Sequence, residues 1–289
     1  MIYLLLAILC GSTFAVLFKV FSLRHFDTLQ AVAVNYLTAF LLGIAFNLSG
    51  GTGGVNPFDY GWWWIALLMG VGFMAAFVLM SLSTARSGVA VTTVSARVSL
   101  VIPVVCSYLL LPAQVSPRWL PIVLVIVALV LIVVPKKQVA NSRRKPLEIA
   151  GILLPVVVFL LFGLNNFFLK FVQNGITDRA ETATFTATIF LSAMVACVIF
   201  YLVRNRGRVT LCTGSLWGGV LLGAANFFAT YLTLLSLETL PAGLFFPIYN
   251  VSIVAISVLV GVFIFGERLT LRQFIGLFVS VVGIVLFFV

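Results

Sequence analysis

The sequence predicts an all-α, polytopic membrane protein whose ten transmembrane helices form two inverted five-helix repeats. Composition is the first reason. Of 289 residues, 63% are hydrophobic and 8% charged, with a mean hydropathy of +1.24, whereas soluble domains carry about 25% charged residues. Ten apolar runs, close to the ~20 residues that cross a bilayer, are the second reason. The third is a faint internal duplication that splits the ten runs five and five.

The runs follow in order. Ile2–Ser22 lacks a basic leading region and a small-residue cleavage site, so it reads as a retained span. Thr28–Leu48 carries Asn35 and Tyr36 inside it, Trp62–Ser83 is the third run, and Ser87–Leu111 holds Arg97 near its centre. Trp119–Val134 is apolar almost throughout, which suits a scaffold helix. Glu148–Val172 ends in a polar stripe, Asn166, Lys170 and Gln173 at i, i+4, i+7. Glu181–Val203 is the seventh, and Ser215–Leu237 repeats the stripe as Asn226, Thr230 and Thr233 beside Tyr231. Pro241–Phe265 contains Pro247, Tyr249 and Asn250, and Leu271–Val289 closes the chain with Ser280 as its main polar residue. Longer linkers occur at Asn47–Gly61, Pro135–Leu147 and Arg204–Gly214. The four cysteines, Cys10, Cys106, Cys197 and Cys212, show no metal-ligand or disulfide spacing.

A net charge of +10 is compatible with a nucleic-acid partner, but the basic residues are scattered through short loops rather than gathered on one face, which argues against one. Alternate loops differ sharply. The odd-numbered ones hold twelve Lys and Arg, the even-numbered ones only Arg118 and Arg179. The positive-inside rule therefore puts the odd loops in the cytoplasm and both termini on the outer face of the cytoplasmic (inner) membrane. The duplication shows in Leu79–Gly88 (LMSLSTARSG) against Leu234–Gly243 (LLSLETLPAG), and in Lys19/Lys170 and Asp27/Asp178 at a common offset. Repeats spanning 1–140 and 146–289, each with an odd number of helices, enter the membrane in opposite senses, the plan of secondary transporters.

Arg97 is the focus of the chemistry. A charge at the bilayer centre costs about 2.5–3.5 kcal/mol on insertion scales and marks function by default. All seven carboxylates fall at helix ends or loops, so a substrate anion can supply the missing partner. Thr93 projects on the Arg97 side, and Thr92, Ser95 and Ser99 lie opposite, where Ser95-x-x-x-Ser99 offers a packing surface. The candidate substrate-binding set is Arg97, Thr93, Asn166, Lys170, Asn226, Thr230, Tyr249, Asn250, Lys19, Asn35 and Tyr36. For each polar residue, interhelical hydrogen bonding is the competing role. Lys19 and Lys170, near helix ends, can instead snorkel to head groups. Pro103 and Pro247 free backbone carbonyls and are candidate hinges. One histidine, His25, and no phosphate loop, metal cluster or embedded acid pair argue against an enzyme and against any cofactor or metal. Glu238 is the nearest candidate proton site and Glu267 suits a helix N-terminus.

Pro247 followed by Gly266-Glu267-Arg268-Leu269-Thr270 and Gly276, with the opening Cys10-Gly11-Ser12-Thr13-Phe14 and Lys19, resembles the EamA-type branch of the drug/metabolite transporter superfamily. The first-half copy of the turn, Leu111-Pro112-Ala113-Gln114, departs by lacking the glutamate. The resemblance implies a metabolite carrier with a central cavity, lined mainly by helices one, three, four, six, eight and nine, and points to export. The expectation is a secondary transporter moving a small polar metabolite, an amino acid or another carboxylate, by alternating access. Its partners would be that small molecule, the lipid bilayer and protons as candidate coupling ion; oligomeric state is not legible. The alternatives are a cationic-drug or sugar carrier of the same fold, or a non-transporting scaffold or sensor.

Overall fold

In the computed structural model the described residues are 1–24, 26–49, 56–87, 89–110, 119–133, 149–176, 178–204, 212–264, 266 and 270–287. They are helical, with no strand among them. The elements are α1 (Ile2–Leu23), α2 (Thr28–Ser49), a 3-10 turn (Pro57–Asp59), α3 (Trp63–Ser87), α4 (Val89–Val98), α5 (Val101–Leu110) and α6 (Trp119–Val133), then α7 (Ile149–Gln173), α8 (Arg179–Arg204), α9 (Thr213–Thr239), α10 (Ala242–Phe263) and α11 (Leu271–Val285). Seven segments are long and apolar enough to cross a membrane: Thr28–Leu48, Trp63–Thr84, Val91–Leu110, Ile152–Gln173, Arg179–Arg204, Thr213–Thr239 and Ala242–Phe263. Shorter apolar helices cover Ile2–Phe18, Trp119–Ile132 and Leu271–Val285. Each of the ten apolar runs thus contains helix. The fourth run differs from expectation, being two ten-residue helices rather than one.

The chain forms two compact units, and each draws on both halves of the sequence. The first comprises Met1–Met74 and Phe171–Thr239; the second comprises Ala75–Lys170 and Leu240–Val289.

In the first unit α2 packs on both α8 and α9, and α1 packs on α9. The α2–α9 approach is close because α9 presents glycines to it. A Cβ on Gly219 would lie 2.6 Å from Val34 Cβ, and one on Gly223 would lie 2.6 Å from the Asn35 carbonyl oxygen. Small residues let backbones approach where lipid offers no hydrophobic drive. Aromatic rings fill the same bundle: Tyr36 stacks on Phe190, and Phe227 on Tyr231.

Two helices of this unit start the same way. Asp27 Oδ1 accepts from the backbone N–H of Leu29 and Gln30 at 3.0 and 3.2 Å, opening α2. Asp178 Oδ1 accepts from the N–H of Glu181 at 2.6 Å, opening α8. Each satisfies amides that a helix start leaves without partners. These are the aspartates that pair at the repeat offset in the sequence.

In the second unit α6 packs on α11, α10 and α4, and α10 packs on α5. Thr270 caps α11 with a reciprocal box: its hydroxyl accepts from the Gln273 N–H at 3.3 Å, and Gln273 Oε1 accepts from the Thr270 N–H at 3.0 Å.

Candidate functional site

The polar centre of the second unit forms where a helix is interrupted. Pro103 has no N–H to give the carbonyl four residues back, Ser99. That carbonyl accepts from the Ile102 N–H at 3.0 Å instead, and the Arg97 carbonyl accepts from the Leu100 N–H at 3.4 Å. Both are the shorter three-residue reach of a tightened turn. The Ser99 hydroxyl donates to the Ala96 carbonyl at 2.7 Å, the acceptor that Leu100 would serve in an unbroken helix. At this break the Ser99 hydroxyl and the Ile102 amide serve two carbonyls that a regular helix would pair with amides four residues on.

Arg97 lies in the last turn of α4, immediately before this break. Its Nη1 donates to Asn250 Oδ1 at 3.4 Å, the one hydrogen bond of its side chain among the described residues. Asn250 is oriented for that contact because its Nδ2 donates to the Phe246 carbonyl at 3.0 Å, turning the amide oxygen toward the guanidinium. Asn250 sits one turn after Pro247, which is buried within α10. Tyr249, half-buried on the same helix, is stacked on Phe245 with centroids 5.2 Å apart. Thr93 is half-buried one turn ahead of Arg97.

No carboxylate is described in this unit: Asp27, Asp59, Asp178, Glu181 and Glu238 all belong to the first, and Glu148 and Glu267 lie outside the described residues. Among the described residues the guanidinium is therefore met by a neutral side-chain amide, not by an acid or a main-chain oxygen.

The other sequence-predicted residues divide between the units. Asn166 and Lys170 are on α7 in the second, with Asn166 half-buried. Lys170 is only 3% exposed, so its ammonium is buried rather than splayed toward head groups. Asn35, Tyr36, Asn226 and Thr230 are in the first unit. There Asn226 Nδ2 donates to Asn35 Oδ1 at 3.1 Å, inside the glycine-lined α2–α9 contact. Thr230 and Thr233 are buried on α9, and Tyr36 is buried against Phe190. The side chain of Lys19 lies outside the described residues, as do His25, Arg118 and Leu111–Gln114. Pro103 is buried in α5 at the break.

Comparison with known proteins bears on what such an arrangement serves. Residues 149–289 match the EamA-like transporter family. That stretch of the chain is similar to EamA-like transporters. The family belongs to the drug/metabolite transporter superfamily, whose EamA members are membrane transporters rather than enzymes. An uncharacterized protein of Haemophilus influenzae is 24% identical over 292 residues, covering 97% of this chain and 95% of that one. A protein of known crystal structure superposes with a TM-score of 0.76 at 16% identity, over 98% of this chain and 94% of that one. The likeness is one of fold.

Beyond the residues that the EamA motifs single out, the structure adds a buried acid. Glu181, in the first turn of α8, is 2% exposed, and its Oε1 accepts from the indole Nε1–H of Trp62 at 2.7 Å. Tyr60 stacks on Trp62 at 5.4 Å, and burial together with the negative charge of Glu181, Asp178 and Asp59 pushes its phenol up from the ordinary range. The Asp178-x-x-Glu181 spacing signals a helix start. Nothing local signals the partner 119 residues away. Ser83 and Thr92, which share a 2.7 Å hydrogen bond between α3 and α4, were equally silent.

Proposed function

We propose that this chain is a secondary transporter of the cytoplasmic membrane that carries a small carboxylate-bearing metabolite, an amino acid or a chemically similar acid, by alternating access, in the export direction. Arg97 receives the substrate carboxylate, and Asn250 holds the guanidinium in place when no anion is bound. The match of residues 149–289 to a transporter family supports the class. The observation that carries the substrate chemistry is the Arg97–Asn250 contact: a cation among apolar helices, held among the described residues by one 3.4 Å bond to a neutral amide. A charge-assisted, bidentate bond to a carboxylate is shorter and roughly twice as strong. Asn250 is thus a partner that an anion can displace.

Ten crossings in two inverted repeats, covering 1–140 and 146–289, fit the ten apolar runs and the matching aspartate caps at α2 and α8. The α4–α5 break and Pro247 are the points at which one segment bends against another. Broken helices at mid-membrane are how secondary transporters expose ion-binding groups. With protons as the coupling ion, Glu181, buried in the first turn of α8, is the candidate carboxylate among the described residues.

The test is a thermal-shift screen of the purified protein with amino acids, organic cations and sugars, followed by flux of the hits in proteoliposomes. Stabilisation by carboxylates and loss of flux in Arg97→Ala support the reading. Stabilisation by cations or sugars alone overturns it.

A further inference from the structure

We propose that the cavity formed by the first residues of α2 and the last residues of α8 holds an aminophospholipid head group, a phosphate and a primary ammonium two carbons apart. The cavity measures about 290 Å³ and is lined by Asp27, Thr28, Leu29, Tyr201 and Arg204. That volume suits a small head group, at the lower end of the ~300–1,000 Å³ of small-molecule sites. It lies wholly within the first unit, apart from Arg97.

Its chemistry is that of opposite charges held apart. Asp27 and Arg204 line the same space, and no ion pair joins them among the described residues. The two capping bonds of Asp27 both use Oδ1, which leaves Oδ2 for a donor in the cavity. A primary ammonium supplies N–H donors to that oxygen; a trimethylated one supplies none. Arg204 offers the planar fork that suits phosphate, and tyrosine beside it is the side chain favoured at membrane interfaces.

Two observations point to a lipid rather than a soluble zwitterion. The cavity lies at the ends of two spans, Thr28–Leu48 and Arg179–Arg204, which is head-group depth. On α8, Val195, Val198, Ile199, Leu202 and Val203 form an exposed apolar face that climbs to within one residue of Arg204. The spacing is helical, and Val203 is 75% exposed. Acyl chains lying along that face bring the head group to the cavity.

Native mass spectrometry of the full chain, offered equal amounts of dioleoyl phosphatidylethanolamine, phosphatidylcholine and phosphatidylglycerol, tests this. The expected result is retention of the ethanolamine lipid about fivefold over the choline lipid, the net worth of about one hydrogen bond. Asp27→Asn keeps a cap acceptor yet erases that preference, and Arg204→Gln lowers retention of all three lipids. Both variants should keep the thermal midpoint of the wild type. Equal retention of ethanolamine and choline lipids by the wild type overturns the proposal, as does a preference that survives in both variants. Displacement of the lipid by equimolar glycine or free phosphoethanolamine overturns it too, by assigning the site to a soluble zwitterion.

Discussion

Arg97 and Asn250, 153 residues apart in the chain, meet at 3.4 Å between the end of α4 and the middle of α10. Each sits beside a proline-disturbed stretch, Arg97 before the break set by Pro103 and Asn250 after Pro247. The contact joins the α4–α5 break to the proline-containing stretch of α10. It offers a direct route to testing the transport reading.

Replacing Asn250 with Asp places a fixed acid opposite Arg97. The pair then satisfies itself, and carboxylate flux should fall at least tenfold, about 1.4 kcal/mol of lost transition-state stabilisation. Arg97→Ala should fall as far, and Arg97→Lys less. Counterflow of a radiolabelled substrate in proteoliposomes measures this. Wild-type flux in Asn250→Asp would remove the contact from the transport cycle.

Pro103→Ala restores an N–H that can bond the Ser99 carbonyl. A proline in a helix interior costs about 3 kcal/mol. The substitution should therefore raise the thermal midpoint in detergent while slowing flux, since it straightens the point of bending. A stabilised protein with unchanged flux would show the break to be static.

The α2–α9 seam predicts a purely structural effect. In Gly223→Val the new Cβ meets the Asn35 carbonyl oxygen at 2.6 Å, so the helices must part. The expected destabilisation is about 1–3 kcal/mol, read as a lowered thermal midpoint. Asn226→Leu, which leaves Asn35 without its 3.1 Å partner, should act in the same direction by about 0.6–1.7 kcal/mol. Neither should change substrate selectivity in the protein that remains folded.

Glu181→Gln keeps an acceptor for the Trp62 indole, whereas Glu181→Leu removes it. The leucine variant should lose about 1–3 kcal/mol, the cost of a buried donor left unmet, with a shift in tryptophan emission. If Glu181 carries the coupling proton, the glutamine variant folds normally and loses the dependence of flux on a pH gradient. Retained dependence in Glu181→Gln would exclude that role.

Cys212 reports on topology. It is exposed just ahead of α9, and the backbone N–H of Ser215 in the first turn holds its thiol below the ordinary range. A lowered pKa enriches the thiolate, so alkylation by a membrane-impermeant maleimide should reach its plateau rate at a lower pH than for a free cysteine. Labelling should occur in inside-out vesicles and not in right-side-out ones. The reverse pattern would invert the orientation inferred from loop charge.

How much was legible follows from the distance over which each signal acts. Hydropathy is summed along the chain, so the ten apolar runs marked where helix lies to within a few residues at each end; α2 was expected at Thr28–Leu48 and is found at Thr28–Ser49, whereas the fourth run divides in two. Asp27 and Asp178 were visible as a repeated pair because a cap acts within three residues. Pro103 was visible as a disturbance, but whether it kinks or breaks a helix depends on what else can serve the freed carbonyls. The Ser99 hydroxyl and the Ile102 amide decided that. For Lys170, a substrate-binding candidate, snorkelling from a helix end was the competing role, and packing buries the side chain.

The sequence by itself determined a membrane-embedded helical chain, an arginine near the centre of its fourth apolar run and the places where helices start, because these follow from composition and from contacts within a turn or two. Tertiary structure alone decided which polar residues are spoken for. It joined Asn226 to Asn35, gave Trp62 to Glu181 and set Asn250 against Arg97. The physical reason is that a hydrogen bond between helices is specified by how two backbones approach, and that approach is fixed by glycines, rings and prolines on elements far apart in the chain.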